Sequence, residues 1–183
     1  METTENIKNT SEKLFEEFLK MHDISYTKDY VLENGKNVDF LIRNSAIEIF
    51  SDVKAVLKAT DNSLSRGVAK RRIRGDIQKL REKFTNSNPG IPCVLISMNF
   101  SEDFYSGFTI NDALYGDSGF IYNKKIGTIT SPLHHLPKGK AKFTSEHNTV
   151  VSGILAFNTS DSRNYFFHNL FAKNPLREIF SKN

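Results

Sequence analysis

Residues 37–56 constrain the fold most. NVDFLIR, the pair Asn44-Ser45 and then AIEIFSDVKAV form two apolar, β-branched runs separated by a tight turn, the pattern of a β-hairpin. In the second run, alternation puts Ile47, Ile49, Ser51 and Val53 on one face and Glu48, Phe50, Asp52 and Lys54 on the other. Same-face side chains of neighbouring strands lie within ~5 to 8 Å, so Asp39 and Asp52 can converge on one divalent ion. Lys54, two residues after Asp52, must then deliver an ammonium to the same side.

The flanking segments predict an α/β domain with a central mixed sheet flanked by helices. SEKLFEEFLKM places Leu14, Phe15, Phe18 and Leu19 on one helical stripe with Ser11 as N-cap, and ISYTKDYVL reads as a strand closing at the turn Glu33-Asn34-Gly35. A loop over 58–67 leads into a helix at about 68–84, where Ala69, Ile73, Ile77, Leu80 and Phe84 recur at steps of three and four. IPCVLISM is a continuously apolar strand of the kind buried on both faces. Residues 99–148 show no clean period and read as an irregular insertion. TVVSGILAF and NYFFHNL follow as strands, and a short helical tail is expected after Asn174-Pro175.

The length, 183 residues, suits a single domain spanning 1–183. No apolar run approaches the ~18 residues of a membrane helix, and METTENIKNT carries no cleavage pattern, so a cytoplasmic protein without a membrane partner is expected. One cysteine, Cys93, can form neither an internal disulfide nor a cysteine metal cage, and its apolar surroundings indicate a buried structural thiol. The net charge of +4 is small but unevenly spread. Between Lys58 and Lys83 nine basic residues stand against three acidic ones, net +6. Helical arithmetic groups Arg71, Arg74, Gln78 and Arg81 on one face of the second helix, where they could track a phosphate backbone; a solvated basic face is the plain alternative.

The order of these elements, with Val-Asp-Phe-Leu-Ile, a turn, and a strand ending Asp52-Val53-Lys54-Ala55, resembles the core motif of the PD-(D/E)XK, or restriction-endonuclease-like, superfamily. The resemblance covers residues 11–98 and extends loosely to NYFFHNLFAKNPL. It implies a restriction-endonuclease-like core and a divalent-metal-dependent endonuclease acting on DNA, in restriction, phage defence or DNA processing. Asp39 matches the family's first acid, Asp52 the second and Lys54 the lysine, with Val53 lending its backbone carbonyl to Mg²⁺ or Mn²⁺. Phe15-Glu16 resembles the leading-helix glutamate, a role open also to Glu17 or Glu12, and Gln78 stands where many members carry a glutamine.

The chain departs from the motif in two places, of which the first is common and harmless in that family. Val38 replaces the motif proline, and Glu48 precedes Asp52 on the same strand face. Only the Asp52 register supplies an acid and a lysine two apart; with Glu48 as motif acid, Phe50 would occupy the lysine position. Glu48 is therefore expected as an accessory metal ligand or a charge near the DNA. This crowding motivates a second reading, a catalytically silent module of the same fold that binds nucleic acid or a protein partner, and RNA-directed cleavage is a third. Duplex cleavage by so short a chain would imply a homodimer. The adjacent His134-His135 share no face, and only His147 follows at any ligand spacing, so no zinc site is expected. His168 is expected as a packed side chain.

Overall fold

The computed structural model describes residues 4–44, 47–56, 66–84, 90–99, 107–116, 118–119, 122–123, 128–129, 134–135, 141–158 and 164–176. Six strands form one mixed sheet: β1 (Ser25–Val31), β2 (Asn37–Asn44), β3 (Ile47–Val56), β4 (Cys93–Asn99), β5 (Val151–Asn158) and β6 (Asn164–His168). They lie side by side in that order. β1, β2 and β3 pair antiparallel, β3–β4 and β4–β5 pair parallel, and β6 returns antiparallel to β5. The parallel steps need crossovers, and helices α2 (Arg66–Lys83) and α3 (Gly107–Tyr115) lie within them.

The sheet is covered on both faces, as expected from its continuously apolar central strands. Helix α1 (Thr4–Met21) packs Phe15 and Leu19 against Phe40, Ile42, Ile49, Val53 and Ile96 on one side. On the other side, Ile73, Ile77 and Leu80 of α2 and Ile110, Ala113 and Leu114 of α3 close over Leu41, Phe50 and Leu95. Aromatic packing organises both layers: Phe15 meets Phe40 and Phe157 edge-on, and Tyr30, Phe50 and Phe84 form a continuous stack.

Several expectations are corrected in detail. Helix α1 begins at Thr4, so Ser11 is a buried mid-helix residue and no N-cap. The polar first turns are held internally, by Thr10 Oγ1 donating to the Asn6 carbonyl at 2.8 Å and by the Lys8–Glu12 ion pair at 3.3 Å. Leu14 is 37% exposed, so the buried stripe is rotated towards Phe15 and Leu19. The 99–148 stretch contains α3 and two short ladders, Ser118–Gly119 with His134–His135 and Tyr122–Asn123 with Thr128–Ile129. The tight turn at 45–46, the loop at 57–65 and the helical tail beyond residue 176 lie outside the described residues. His168 is exposed on the edge strand, its ring against Phe166. Cys93 is buried, and burial pushes its thiol well above the ordinary range. Among the described residues no helix is long and apolar enough to cross a membrane.

Candidate active site

The hairpin predicted from residues 37–56 forms, and its two aspartates meet. The β2–β3 ladder pairs Phe40 with Ser51, and one further step sets Asp39 opposite Asp52. At that step side chains replace backbone bonding: the Asp39 amide donates to Asp52 Oδ1 at 3.3 Å, and the Val53 amide donates to Asp39 Oδ2 at 2.8 Å. Each carboxylate is thereby oriented by the opposite strand's backbone. Asp52 is wholly buried and Asp39 nearly so.

Lys54 completes the arrangement from the same face of β3. Its ammonium lies 3.2 Å from Asp52 Oδ2, 3.7 Å from Asp39 Oδ2 and 3.2 Å from the Val53 carbonyl oxygen, to which it donates. Three oxygens on two strands thus surround one cationic nitrogen. Phe50, on the same face two residues earlier, is buried and stacked between Tyr30 and Phe84. The strand geometry therefore pairs Lys54 with Asp52.

Burial, then the charge of Asp52, pushes the Asp39 carboxyl above the ordinary carboxylate range, against the pull of Lys54, the Val53 amide and Lys83. Two acids this close share a site that favours a cation. Among the described residues no three His, Cys, Asp or Glu side chains converge as metal ligands. The donor set here is two carboxylates plus a backbone carbonyl, all hard oxygens of the kind that hold Mg²⁺ or Mn²⁺. Asp52 Oδ2 supports the fit: it is fully buried and, although two ammoniums are within ion-pair distance, it accepts no well-aligned hydrogen bond.

Other expected site residues lie elsewhere. Glu48 is four residues up β3 from Asp52, about 13 Å along an extended strand, and it pairs with Arg43 at 2.8 Å. It lines a separate groove with Ile91, Pro92 and Pro175. Glu16 accepts from Tyr26 and Lys20 at 2.8 Å each and faces Lys28. Its neighbour Glu12 is more buried and bridges Lys8 and Lys28.

The basic face of α2 is in part engaged within the protein. Arg74 donates to the carbonyls of Asp112 at 2.8 Å and Ala113 at 3.3 Å, tying α2 to the last turn of α3. Lys70 joins that tie through Asp112 at 3.5 Å. Gln78 donates to Glu82 along the helix. Arg71 and Arg81 are exposed. The flank turned to the aspartates carries Arg72, Asp76, Lys79 and Lys83 instead.

From that flank Lys83 reaches Asp52, with Nζ 2.6 Å from each carboxylate oxygen. Asp76, also buried, is raised above its ordinary range by burial, with Lys79, Lys54 and Arg72 opposing and Asp52 reinforcing the shift. Neither Lys83 nor Asp76 was anticipated. The available signal was the helical period, which places Asp76 about 60° and Lys83 about 80° from the core stripe on the side opposite Arg74. Which side faced the hairpin depended on where α3 packs.

No protein-family model matches the chain, and no curated protein matches its sequence. Among solved structures, the chain is similar to SfsA of Pyrococcus furiosus in complex with Ca²⁺, at 14% identity and a TM-score of 0.35. The match covers 90% of this chain and 64% of that protein, so the chain spans less than two thirds of its length.

Proposed function

We propose that the chain is a divalent-metal-dependent endonuclease of the PD-(D/E)XK type that hydrolyses phosphodiester bonds in DNA, an activity suited to restriction, phage defence or DNA processing. The supporting observation is the convergence of Asp39 Oδ2, Asp52 Oδ2 and the Val53 carbonyl on the Lys54 ammonium, at 3.7, 3.2 and 3.2 Å. These three oxygens would hold Mg²⁺ or Mn²⁺. When bound, the ion supplies Lewis-acid stabilisation of phosphate charge.

The chain's own residues do the rest. The Val53 and Asp39 amides fix the carboxylates in one orientation, so the site needs little reorganisation. Lys54, held beside the acids, is placed to stabilise negative charge that develops on the phosphate or to orient the attacking water. Arg72 and Lys79, on the flank of α2 that faces the site, would meet the DNA backbone in place of Arg74.

Incubating the purified protein with matched DNA and RNA strands, with Mg²⁺, Mn²⁺ or chelator, tests the proposal. Metal-dependent cutting of DNA, lost in Asp52→Asn, is expected. Binding without cutting would instead support the silent-module reading, and cutting confined to RNA would change the substrate class.

A further inference from the structure

Lys83 is surplus to the motif of two acids and one lysine, yet it makes the shortest ion pair at the site. Its Nζ stands 2.6 Å from both oxygens of Asp52, while Lys54 stands 3.2 Å from Oδ2. Two ammoniums therefore serve one fully buried carboxylate. They are held differently. Lys54 also donates to the Val53 carbonyl and faces Asp39, whereas the Lys83 ammonium contacts Asp52 alone among the described residues.

The root of Lys83 is fixed and its side chain is the movable part. Its backbone carbonyl accepts from Asn34 Nδ2 at 2.8 Å, and the adjacent Glu82 carbonyl accepts from Lys36, so the β1–β2 turn pins the end of α2. The side chain is 25% exposed, close to the 24% of Lys54.

Charge balance at the acid pair limits how many cations it can hold. With both lysines in place, Asp39 and Asp52 are neutralised. A divalent ion on the same oxygens would leave two ammoniums and a dication around two carboxylates, a crowd that like-charge repulsion does not tolerate. The two side chains are almost equally exposed, so the contacts decide, and the ammonium with one contact is the one to leave. Resting on the metal-centre reading above, we propose that Lys83 is a metal-displaced cation: loading of a divalent ion releases it from Asp52, and it then takes a phosphate of the nucleic-acid backbone as its counter-ion. Lys83 thereby holds the buried acid in the metal-free protein and becomes a substrate contact only in the loaded one.

Lysine acetylation of the full chain, read residue by residue by mass spectrometry, tests this in the wild-type protein. Three conditions are compared: chelator, Mg²⁺, and Mg²⁺ with a phosphorothioate DNA duplex that resists cleavage. Lys83 labelling should rise severalfold with Mg²⁺ and fall again with duplex, while Lys36, at the same helix end, stays constant. Unchanged labelling of Lys83 on adding Mg²⁺ overturns the proposal, and failure of the duplex to protect it overturns the phosphate half. Calorimetric titration with Mn²⁺ gives a second readout: Lys83→Met should bind about tenfold more tightly or better, the scale of one neighbouring charge. Equal affinities would sink the role of Lys83 and leave the metal centre standing. If neither protein bound Mn²⁺, both would fall. Should Lys83→Met fail to fold, the labelling result on the wild type decides.

Discussion

Asp39 and Asp52 are each held by the other's strand: Asp52 Oδ1 accepts the Asp39 amide at 3.3 Å, and Asp39 Oδ2 accepts the Val53 amide at 2.8 Å. The two acids are thus part of the sheet's hydrogen bonding as well as of the candidate site. Asp39→Ala should leave the Val53 amide without its acceptor in a buried place, costing about 1–3 kcal/mol. Asp39→Asn keeps an acceptor and should stay within about 1 kcal/mol of wild type. Urea unfolding separates the two, and both variants should lose divalent-ion binding.

The two raised acids set a pH dependence with a defined sign. Asp39 and Asp76 hold their protons more tightly in the native state than in the unfolded chain. Their contribution therefore favours the folded state below the ordinary aspartate value and is lost as pH rises through the native-state value. Asp76→Asn, which removes that penalty, should raise Tm at pH 7 and leave it nearly unchanged at pH 3, as thermal melts will show. Metal binding runs the other way, because it needs ionised Asp39. Mn²⁺ affinity should weaken on acidification sooner than for an ordinary aspartate pair, which titration across pH 4–7 measures.

The two flanks of α2 should separate in function. Arg74→Ala removes the tie to Asp112 and Ala113 and should cost about 1.5–3 kcal/mol of stability, since its bonds come from a charged donor. Its effect on the salt dependence of DNA binding should be small. Lys79→Ala should do the reverse, leaving stability intact while weakening DNA binding for all sequences and reducing the slope of log K against log salt by about one. Fluorescence anisotropy at several salt concentrations, beside thermal melts, distinguishes them.

Gly153 holds β6 against β5. A Cβ there would lie 2.6 Å from the Phe166 ring and 2.6 Å from the Phe167 carbonyl oxygen, and the backbone contact cannot yield without moving the strand. Gly153→Ala should destabilise by about 1–3 kcal/mol, with the loss visible as faster hydrogen exchange in β6.

The hairpin was legible because its period is short and its faces differ: Ile49 and Val53 against Phe50, Asp52 and Lys54 admit one register. β4 was legible because an unbroken apolar run of that length has to be buried on both faces. Less could be read where a side chain's neighbour lies far along the chain. The basic residues of α2 have a clear helical phase, but only the packing of α3 against Arg74 and Lys70 shows which flank is left for the site. The same holds for Lys83, which is 31 residues from Asp52 and carries no local mark. α3 is harder to read because it is nine residues long: its buried Ile110, Ala113 and Leu114 keep the i, i+3, i+4 spacing of a helix, but for a single turn, too short a window to establish a period. Ser11 misled because a good capping residue also satisfies itself inside a helix.

The central claim is that Asp39, Asp52 and Lys54 form one metal-dependent phosphodiesterase centre. Single-turnover cleavage of an end-labelled DNA duplex in Mg²⁺ tests it most directly, with wild type, Asp52→Asn and Lys54→Met run side by side and Mn²⁺ binding measured on the same samples. The expected result is cutting by wild type, none by Asp52→Asn, and cutting by Lys54→Met slower by about a hundredfold or more with metal binding kept, the scale of one lost charge-stabilising group. Cleavage that persists in Asp52→Asn, or that proceeds equally in chelator, would contradict it.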